Sequence, residues 1–185
     1  MHSKTSNILG LDISTRMTGV CVFDQDGLCV YNESIDTRNK NKFPTIYSKG
    51  TAVKDVLSII HEKFNIEATF IEQPFMFFNS GGSTAKTMSV LQRFNGIVSW
   101  TCFELFKHEP VHITATAARK MLNIPLKRGE NAKEKCLQYV LDEYKDFVVE
   151  YTRQGNIKQG VFDRSDSYII AKAGWETWKK ENIKS

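Results

Sequence analysis

The sequence is poor in the residues that mark special architectures. It holds four cysteines, Cys21, Cys29, Cys102 and Cys136. They form no CxxC pair and sit inside apolar runs, which argues against a disulfide framework and a zinc site and for a reducing, intracellular compartment. With 4 Pro and 11 Gly among 185 residues, collagen-like and low-complexity chains are excluded. No apolar run approaches the roughly 20 residues that a bilayer crossing needs, and the N-terminal stretch lacks an apolar signal core behind a basic flank. The expectation is a soluble protein with no membrane partner and no visible address label. That favours a bacterial or viral cytoplasm and leaves a processed organellar form open.

What is present is ordinary globular material, 41% hydrophobic and 25% charged. A chain of this length buries roughly 70% of its unfolded surface as one domain. With no internal repeat and no linker-like shift in composition, residues 1–185 read as a single domain. The net charge of +4 is mild, but its distribution is uneven. Lys107, Arg119, Lys120, Lys127, Arg128, Lys133 and Lys135 face only Glu109, Glu130 and Glu134, so the stretch from Lys107 to Lys135 alone carries +4. Charge by itself fits a solvated helix surface as well as a nucleic-acid face.

The pattern of apolar residues gives an element order. Asn7 to Ser14, Thr18 to Phe23 and Leu28 to Ile35 read as three antiparallel strands, the last two joined by an Asp26-Gly27 turn. Val53, Leu57, Ile60 and Phe64 mark one face of a helix from about Thr45 to Asn65. Ala68 to Glu72 follows as the parallel strand of a crossover unit. After a loop from Gln73 to Gly82, a helix spans about Ser83 to Phe106. Its inner face carries Met88, Leu91, Val98, Cys102 and Leu105, yet Val90, Phe94, Ile97, Trp100 and Phe103 make it apolar nearly all round. Such a helix must be covered twice, either by the helices between Thr114 and Tyr144 or by a partner subunit. Pro110 to Ile113 reads as a fifth strand, Thr114 to Leu122 as a Thr-capped helix, and Asn131 to Tyr144 as a helix with Cys136, Leu137, Val140 and Leu141 inward. Lys145 to Val161 reads as a mobile loop, and Asp163 to about Lys180 as the last helix. The order is βββαβαβααα.

Four carboxylates stand out by position. Asp12 and Glu72 end buried strands, and Asp163 and Asp166, three residues apart, share one face of the final helix with Ile170 and Ala173. That face points inward. Converging buried carboxylates are costly unless balanced, and divalent metal is the ordinary balance. Mg²⁺ has the character needed to activate water against a phosphodiester. Simpler readings exist. Asp163 and Asp166 could be an acidic first turn, and Asp12 could cap a turn toward Thr15 or Thr18.

Several segments together resemble the RuvC-type Holliday junction resolvases of the ribonuclease H-like, or retroviral-integrase-like, superfamily. Ile8-Leu9-Gly10-Leu11-Asp12 with Thr15-Arg16-Met17-Thr18-Gly19 looks like that family's first strand and hairpin, with Ile13-Ser14 in place of the usual Pro-Gly. Phe70-Ile71-Glu72-Gln73-Pro74-Phe75-Met76 is similar to the second motif, and Asp163-x-x-Asp166-Ser167-Tyr168 to the closing one. Ala117-Ala118-Arg119-Lys120 and Ala132-Lys133-Glu134-Lys135 resemble the basic region. Leu122 falls about where a basic residue of the family stands on an ungapped reading from Arg119, so Lys133 is the better candidate for the phosphate-facing lysine. The carboxylates are spaced by sixty, ninety-one and three residues along this order.

The resemblance implies an α/β fold of ribonuclease H type, with a five-stranded mixed sheet flanked by helices. It implies a homodimer that binds a four-way DNA junction and nicks two strands symmetrically, without a covalent intermediate. Asp12, Glu72, Asp163 and Asp166 would hold Mg²⁺, or Mn²⁺ in its place, as two ions bridged by Asp12. Lys133 would join them in catalysis. Phe75, with Phe77 and Phe78 beside it, could stack on splayed bases on a loop made adaptable by Gly81 and Gly82. Arg119, Lys120, Lys127, Arg128 and Lys133 would contact the DNA. His112 reads as a core or cap residue. Other classes stay open: a broader flap and fork nuclease, a junction-binding module that does not cut, and, more remotely, an actin-like sugar kinase, for which the chain is too short.

Overall fold

The computed structural model describes residues 5–74 and 85–182. Phe75, Phe77, Phe78, Gly81, Gly82 and the expected helix start at Ser83 lie outside these residues. Strands β1 (Ser6–Ile13), β2 (Met17–Asp24) and β3 (Cys29–Asp36) are followed by α1 (Ile46–Lys63), β4 (Asn65–Glu72), α2 (Ala85–Phe106) and β5 (Val111–Ile113). Helices α3 (Ala115–Met121), α4 (Ala132–Glu143) and α5 (Gln159–Asn182) complete the chain. This is the order that the apolar pattern predicts. No helix among the described residues is long and apolar enough to cross a membrane.

The sheet order is β3-β2-β1-β4-β5. β1 and β2, and β2 and β3, run antiparallel, whereas β4 is parallel to β1 and β5 to β4. β1 and β2 are buried along almost their whole length, as strands covered on both faces must be. Alternate residues serve opposite cores. Ile8, Cys21, Phe23 and Phe70 join α3, α4 and α5 on one face, while Leu9, Leu11, Val20 and Val22 join α1 and α2 on the other. Each buried Leu or Phe contributes about 1.5–3 kcal/mol from removal of apolar surface.

Local chemistry sets the ends of the elements. Thr45 and Ser48 form a reciprocal capping box at the start of α1. Thr114 caps α3, accepting from Ala117 N, and Asn131 caps α4, accepting from Lys133 N. The Asp26-Gly27 turn is present, with Gly27 at φ 83°, a conformation that costs glycine nothing.

Three expectations need correction. The final helix starts at Gln159, not Asp163, so Asp163 and Asp166 lie inside the helix and its first turn holds no acid. The segment before it is irregular but anchored rather than loose. Phe147 is buried, the Arg164 guanidinium lies 4.8 Å from its ring centroid, and Tyr151 pairs with Ile157 in an antiparallel bridge.

The third correction concerns α2. Phe94 is fully buried in the core rather than on an outer face, and the second cover of the helix is α1, not the helices after Thr114. A Cβ on Gly50 of α1 would sit 2.9 Å from Ile97 Cγ2, so the Ile97 side chain of α2 packs directly onto the α1 backbone there. A helix apolar on every side gives no single period to read, and its inner face was therefore misassigned by part of a turn.

Helix α5 crosses the sheet at unusually short range. A Cβ on Gly10 of β1 would fall 2.4 Å from Ala171 N, and one on Gly19 of β2 would fall 2.0 Å from Asp163 O. Only glycine permits this approach. It brings the Asp163 turn of α5 down onto the strands beside Asp12.

Candidate active site

Asp12 lies on the same strand face as Ile8 and Gly10, the face that α5 covers. Glu72 shares the corresponding face of β4 with Phe70. In the parallel register Leu11 is opposite Ile71, so the next residue on each strand is a carboxylate and the two stand side by side at the strand ends. Helix α5 adds Asp163 and Asp166 from above. The four groups that are scattered in sequence thus share one electrostatic site: Glu72, Asp166 and Asp163 all act on Asp12.

The simpler roles for these residues do not hold. The turn after β1 is closed by Ser14, whose Oγ accepts from Met17 N at 3.0 Å and donates to Met17 O at 2.7 Å. Thr18 Oγ1 donates to Ser14 O at 3.3 Å, leaving Asp12 without a capping task. Asp163 is buried and accepts a long bond from Gln159 Nε2 at 3.4 Å. Asp166 accepts from the Lys133 ammonium at 3.2 Å.

Burial and mutual repulsion push these carboxyl groups up. Asp12 is raised well above the ordinary range, by burial first and then by Glu72, Asp166 and Asp163. Burial and Asp166 raise Glu72 to about 7, against a smaller pull from Lys133 and Arg119. Asp163 and Asp166 are raised by burial, with Lys133 the main opposing influence on each. Burial works to lower Lys133, but Asp166, Asp12 and Asp163 outweigh it and hold the ammonium firmly charged. One facing lysine and a more remote arginine do not neutralise four acids.

Arg119 and Lys133 are therefore the basic residues brought to the carboxylates. Lys120 shares with Arg119, Ile124 and Leu126 an open depression of about 490 Å³. Lys127 and Arg128 lie exposed on the α3–α4 connection. Leu122 is a core residue. His112 belongs neither to the core nor to a cap. Its Nε2 lies 3.1 Å from Asn95 Oδ1 and 3.2 Å from Ser99 Oγ, while Asn95 Nδ2 donates to Glu72 O at 3.4 Å. This chain positions the end of β4, and sequence reading missed it. The available signal was one asparagine inside an apolar helix. Gln159 was missed because the helix was started one turn too late.

Among the described residues, no three His, Cys, Asp or Glu side chains are arranged as a ready ion cage. The donor set nonetheless suits a hard divalent cation: four carboxylates, raised by burial and one another, with oxygen ligands only. All four cysteines are free thiols, three of them buried. Cys136, whose environment feels Asp166, is held at about 11 by burial, so it stays a protonated thiol and a poor nucleophile at neutral pH.

No family model matches the sequence, and no curated relative matches it. Solved structures do. Thermus thermophilus RuvC in complex with a Holliday junction substrate superposes with TM-score 0.61 at 14% identity, covering 95% of each chain. A second Thermus thermophilus RuvC structure gives 0.60 at 16% identity over 95% of each chain. The yeast mitochondrial Holliday junction resolvase Ydc2 gives 0.60 at 15% identity, covering 97% of this chain and 82% of that one. The fold is thus the ribonuclease H-like one of RuvC-type resolvases.

A carboxyl whose pKa is higher in the fold than in the unfolded chain supports the fold best at low pH, and that support is lost as pH climbs through the raised value. Without divalent ions, Asp12→Asn is expected to stabilise the protein by about 2 kcal/mol at pH 8, or roughly 4–8 °C in Tm, because one of four repelling charges is removed. At pH 5, where Glu72 is largely protonated and no longer repels Asp12, the gain is smaller. Thermal melts in EDTA at the two pH values check this, and a gain that is larger at pH 5 contradicts it.

Proposed function

We propose that this chain is a structure-selective endodeoxyribonuclease that resolves four-way DNA junctions by paired, symmetric, metal-dependent hydrolysis of phosphodiester bonds. The observation that carries the reading is the gathering of Asp12, Glu72, Asp163 and Asp166 at one end of the sheet, with Lys133 and Arg119 facing them. It occurs on a fold whose solved neighbours include RuvC in complex with a Holliday junction substrate and a mitochondrial Holliday junction resolvase.

Asp12, Glu72, Asp163 and Asp166 would hold two Mg²⁺, or Mn²⁺, ions. When bound, such ions lower the pKa of attacking water and offset charge on the leaving oxygen. The chain's residues supply the rest. Lys133 exchanges its contact with Asp166 for a phosphate oxygen, and Arg119 approaches the same strand. Lys120, Lys127 and Arg128 meet neighbouring phosphates along the surface of α3 and α4, and Phe75 stacks on a base opened at the crossover. Water rather than a side chain is the nucleophile, since the nearby thiol stays protonated. On this reading the protein, as a single domain, acts where recombining DNA is found: a bacterial or viral cytoplasm or, after processing, an organelle.

Two symmetric cuts call for two sites, and a closed dimer supplies them. Supporting a dimer is the part of α2 that α1 leaves uncovered. Trp100 is 60% exposed and Phe103 39%, their rings 5.5 Å apart, with Tyr47 of α1 also exposed. Burying this ridge gains about 25 cal/mol for each Å² of apolar surface removed.

Nicking of a four-way junction, set beside duplex, flap and fork DNA, tests the activity. The expected result is cutting of the junction with Mg²⁺ or Mn²⁺, binding without cutting in Ca²⁺, and a loss of more than about 100-fold in Asp12→Asn with junction affinity retained. Equal cutting of flaps and forks would instead favour a broad branched-DNA nuclease, and Asp12→Asn activity above a tenth of wild type contradicts the site. For the dimer, sedimentation at micromolar concentration is expected to show a dimer that Trp100→Glu converts to folded monomer. A wild-type monomer, with and without junction DNA, overturns the dimer and leaves the nuclease reading standing.

A further inference from the structure

A second basic surface lies outside the segment that charge distribution picks out. From Thr37 to Lys54 the chain contains Arg38, Lys40, Lys42, Lys49 and Lys54 and no acidic residue. This run carries five positive charges in a chain whose net charge is +4.

Folding concentrates that charge further by adding Arg16 from the β1–β2 turn. Thr37 N donates to Arg16 O at 3.0 Å and Thr37 Oγ1 to Thr15 O at 3.3 Å. The Lys49 ammonium from α1 donates to the same Thr15 carbonyl. The turn after Asp12, the end of β3 and the first turns of α1 are thereby clipped together. Arg16 and Lys40 stand close enough to Lys49 to depress its pKa, after the larger effect of burial.

The tip of the patch has a defined shape. Asn39 Oδ1 accepts from Asn41 N at 3.0 Å and Lys42 N at 3.2 Å, and Phe43 N donates to Asn39 O at 2.8 Å. Lys40 and Lys42 therefore ride on a closed turn, exposed together with Arg16. Arg38 is paired with Asp36 at 2.6 Å. Arg16, Lys40, Lys42 and Lys49 form no ion pair among the described residues. Clustered like charges repel. Asp36, already paired with Arg38, also attracts Arg16, but no carboxylate pairs with Lys40, Lys42 or Lys49 among the described residues. A polyanion would offset the cluster.

Placement identifies which polyanion. The patch begins four residues after Asp12, and the charge of Asp163 reaches Arg38. Next to Arg38 opens a groove of about 530 Å³ bordered by Asp36, Glu150, Lys158 and Gln159, in which Lys158 is paired with Glu150 at 3.4 Å and Gln159 bonds Asp163. Arg119 and Lys133 flank the carboxylates from α3 and α4, whereas this patch flanks them from the β2–β3 side. A strand held at the carboxylates and extending in both directions meets cations on each side.

We infer that Arg16, Lys40, Lys42 and Lys49 bind the phosphate backbone of a duplex DNA arm on the β2–β3 side of the carboxylate site. The inference deepens the nuclease reading by naming a second contact surface for the same DNA. It requires neither cleavage nor junction preference. The contacts are to phosphate, so they add affinity and orientation without reading sequence.

The test is fluorescence anisotropy of wild type, Arg16→Ala/Lys40→Ala/Lys42→Ala and Lys40→Ala/Lys42→Ala on linear duplex and on an immobile four-way junction, in Ca²⁺ across a salt series. Lys49 is left in place because it bonds a backbone carbonyl. Each lost phosphate contact is expected to reduce the slope of log affinity against log salt by about 0.9. The triple variant should therefore lose two to three units of slope and the double variant about two, with affinity down at least about tenfold near 0.1 M salt. The charge-preserving Arg16→Lys/Lys40→Arg/Lys42→Arg variant should keep the wild-type slope, and circular dichroism melts confirm that each variant is folded. Unchanged slope and affinity in both alanine variants overturn the inference, whether or not the wild type cuts junctions. A wild type that binds duplex through the patch but cuts no branched DNA leaves the inference standing and overturns the nuclease reading. A wild type that binds neither DNA overturns both.

Discussion

The rest of the molecule depends on how closely α5 presses against the sheet. Gly10 and Gly19 leave no side chain between the strands and the helix, and the backbone at Ala171 and Asp163 occupies the space a Cβ would take. That contact registers the helix along β1 and β2. It fixes which turn of α5 meets the ends of the strands, and so places Asp163 and Asp166 over Asp12 and Glu72. A larger residue at either glycine would lift the helix and disperse the carboxylates before it unfolded the core.

The same contact explains how the fold tolerates its site. Four acids raised by burial and mutual repulsion destabilise the end of the sheet, as functional constellations commonly do. The compensation lies along the rest of α5, where Tyr168, Ile170, Ala171, Ala173 and Trp175 are buried against the strands. Charge is otherwise arranged around the site rather than within it. Lys133 and Arg119 approach from one side and the Arg16–Lys49 cluster from the other, a distribution suited to a polyanion that crosses the carboxylates.

Much of this was legible in the sequence because it follows from short-range rules. The strand order, the Asp26-Gly27 turn, the cap at Thr114 and the helix starts near Thr45 and Asn131 rest on signals acting over a few residues, and each is where the pattern puts it. The carboxylates were visible as acids at the ends of apolar runs. What was not legible depends on long-range packing. The inner face of α2 is decided by α1, which meets it at Gly50 and Ile97, and not by its own period. The start of α5 at Gln159 lies against Ser34 and Met17 at Gly160, a tertiary contact that no local signal marks. The Asn95–His112 link behind Glu72 joins residues of α2 and β5 that nothing in the sequence pairs. The basic cluster at Arg16 and Lys49 is likewise assembled from three separate elements.

The central claim is that the four carboxylates act as one site for a divalent cation. Calorimetric titration of the protein with Mn²⁺ at pH 6.5, in buffers of different ionisation enthalpy, tests it directly by counting protons. With Glu72 held near 7 and Asp12 also raised, cation binding must displace protons that ordinary surface carboxylates would already have lost. The account predicts release of about one proton or more per protein, and its disappearance together with tight binding in Asp12→Asn. Binding without proton release, or binding that Asp12→Asn leaves unchanged, would contradict it.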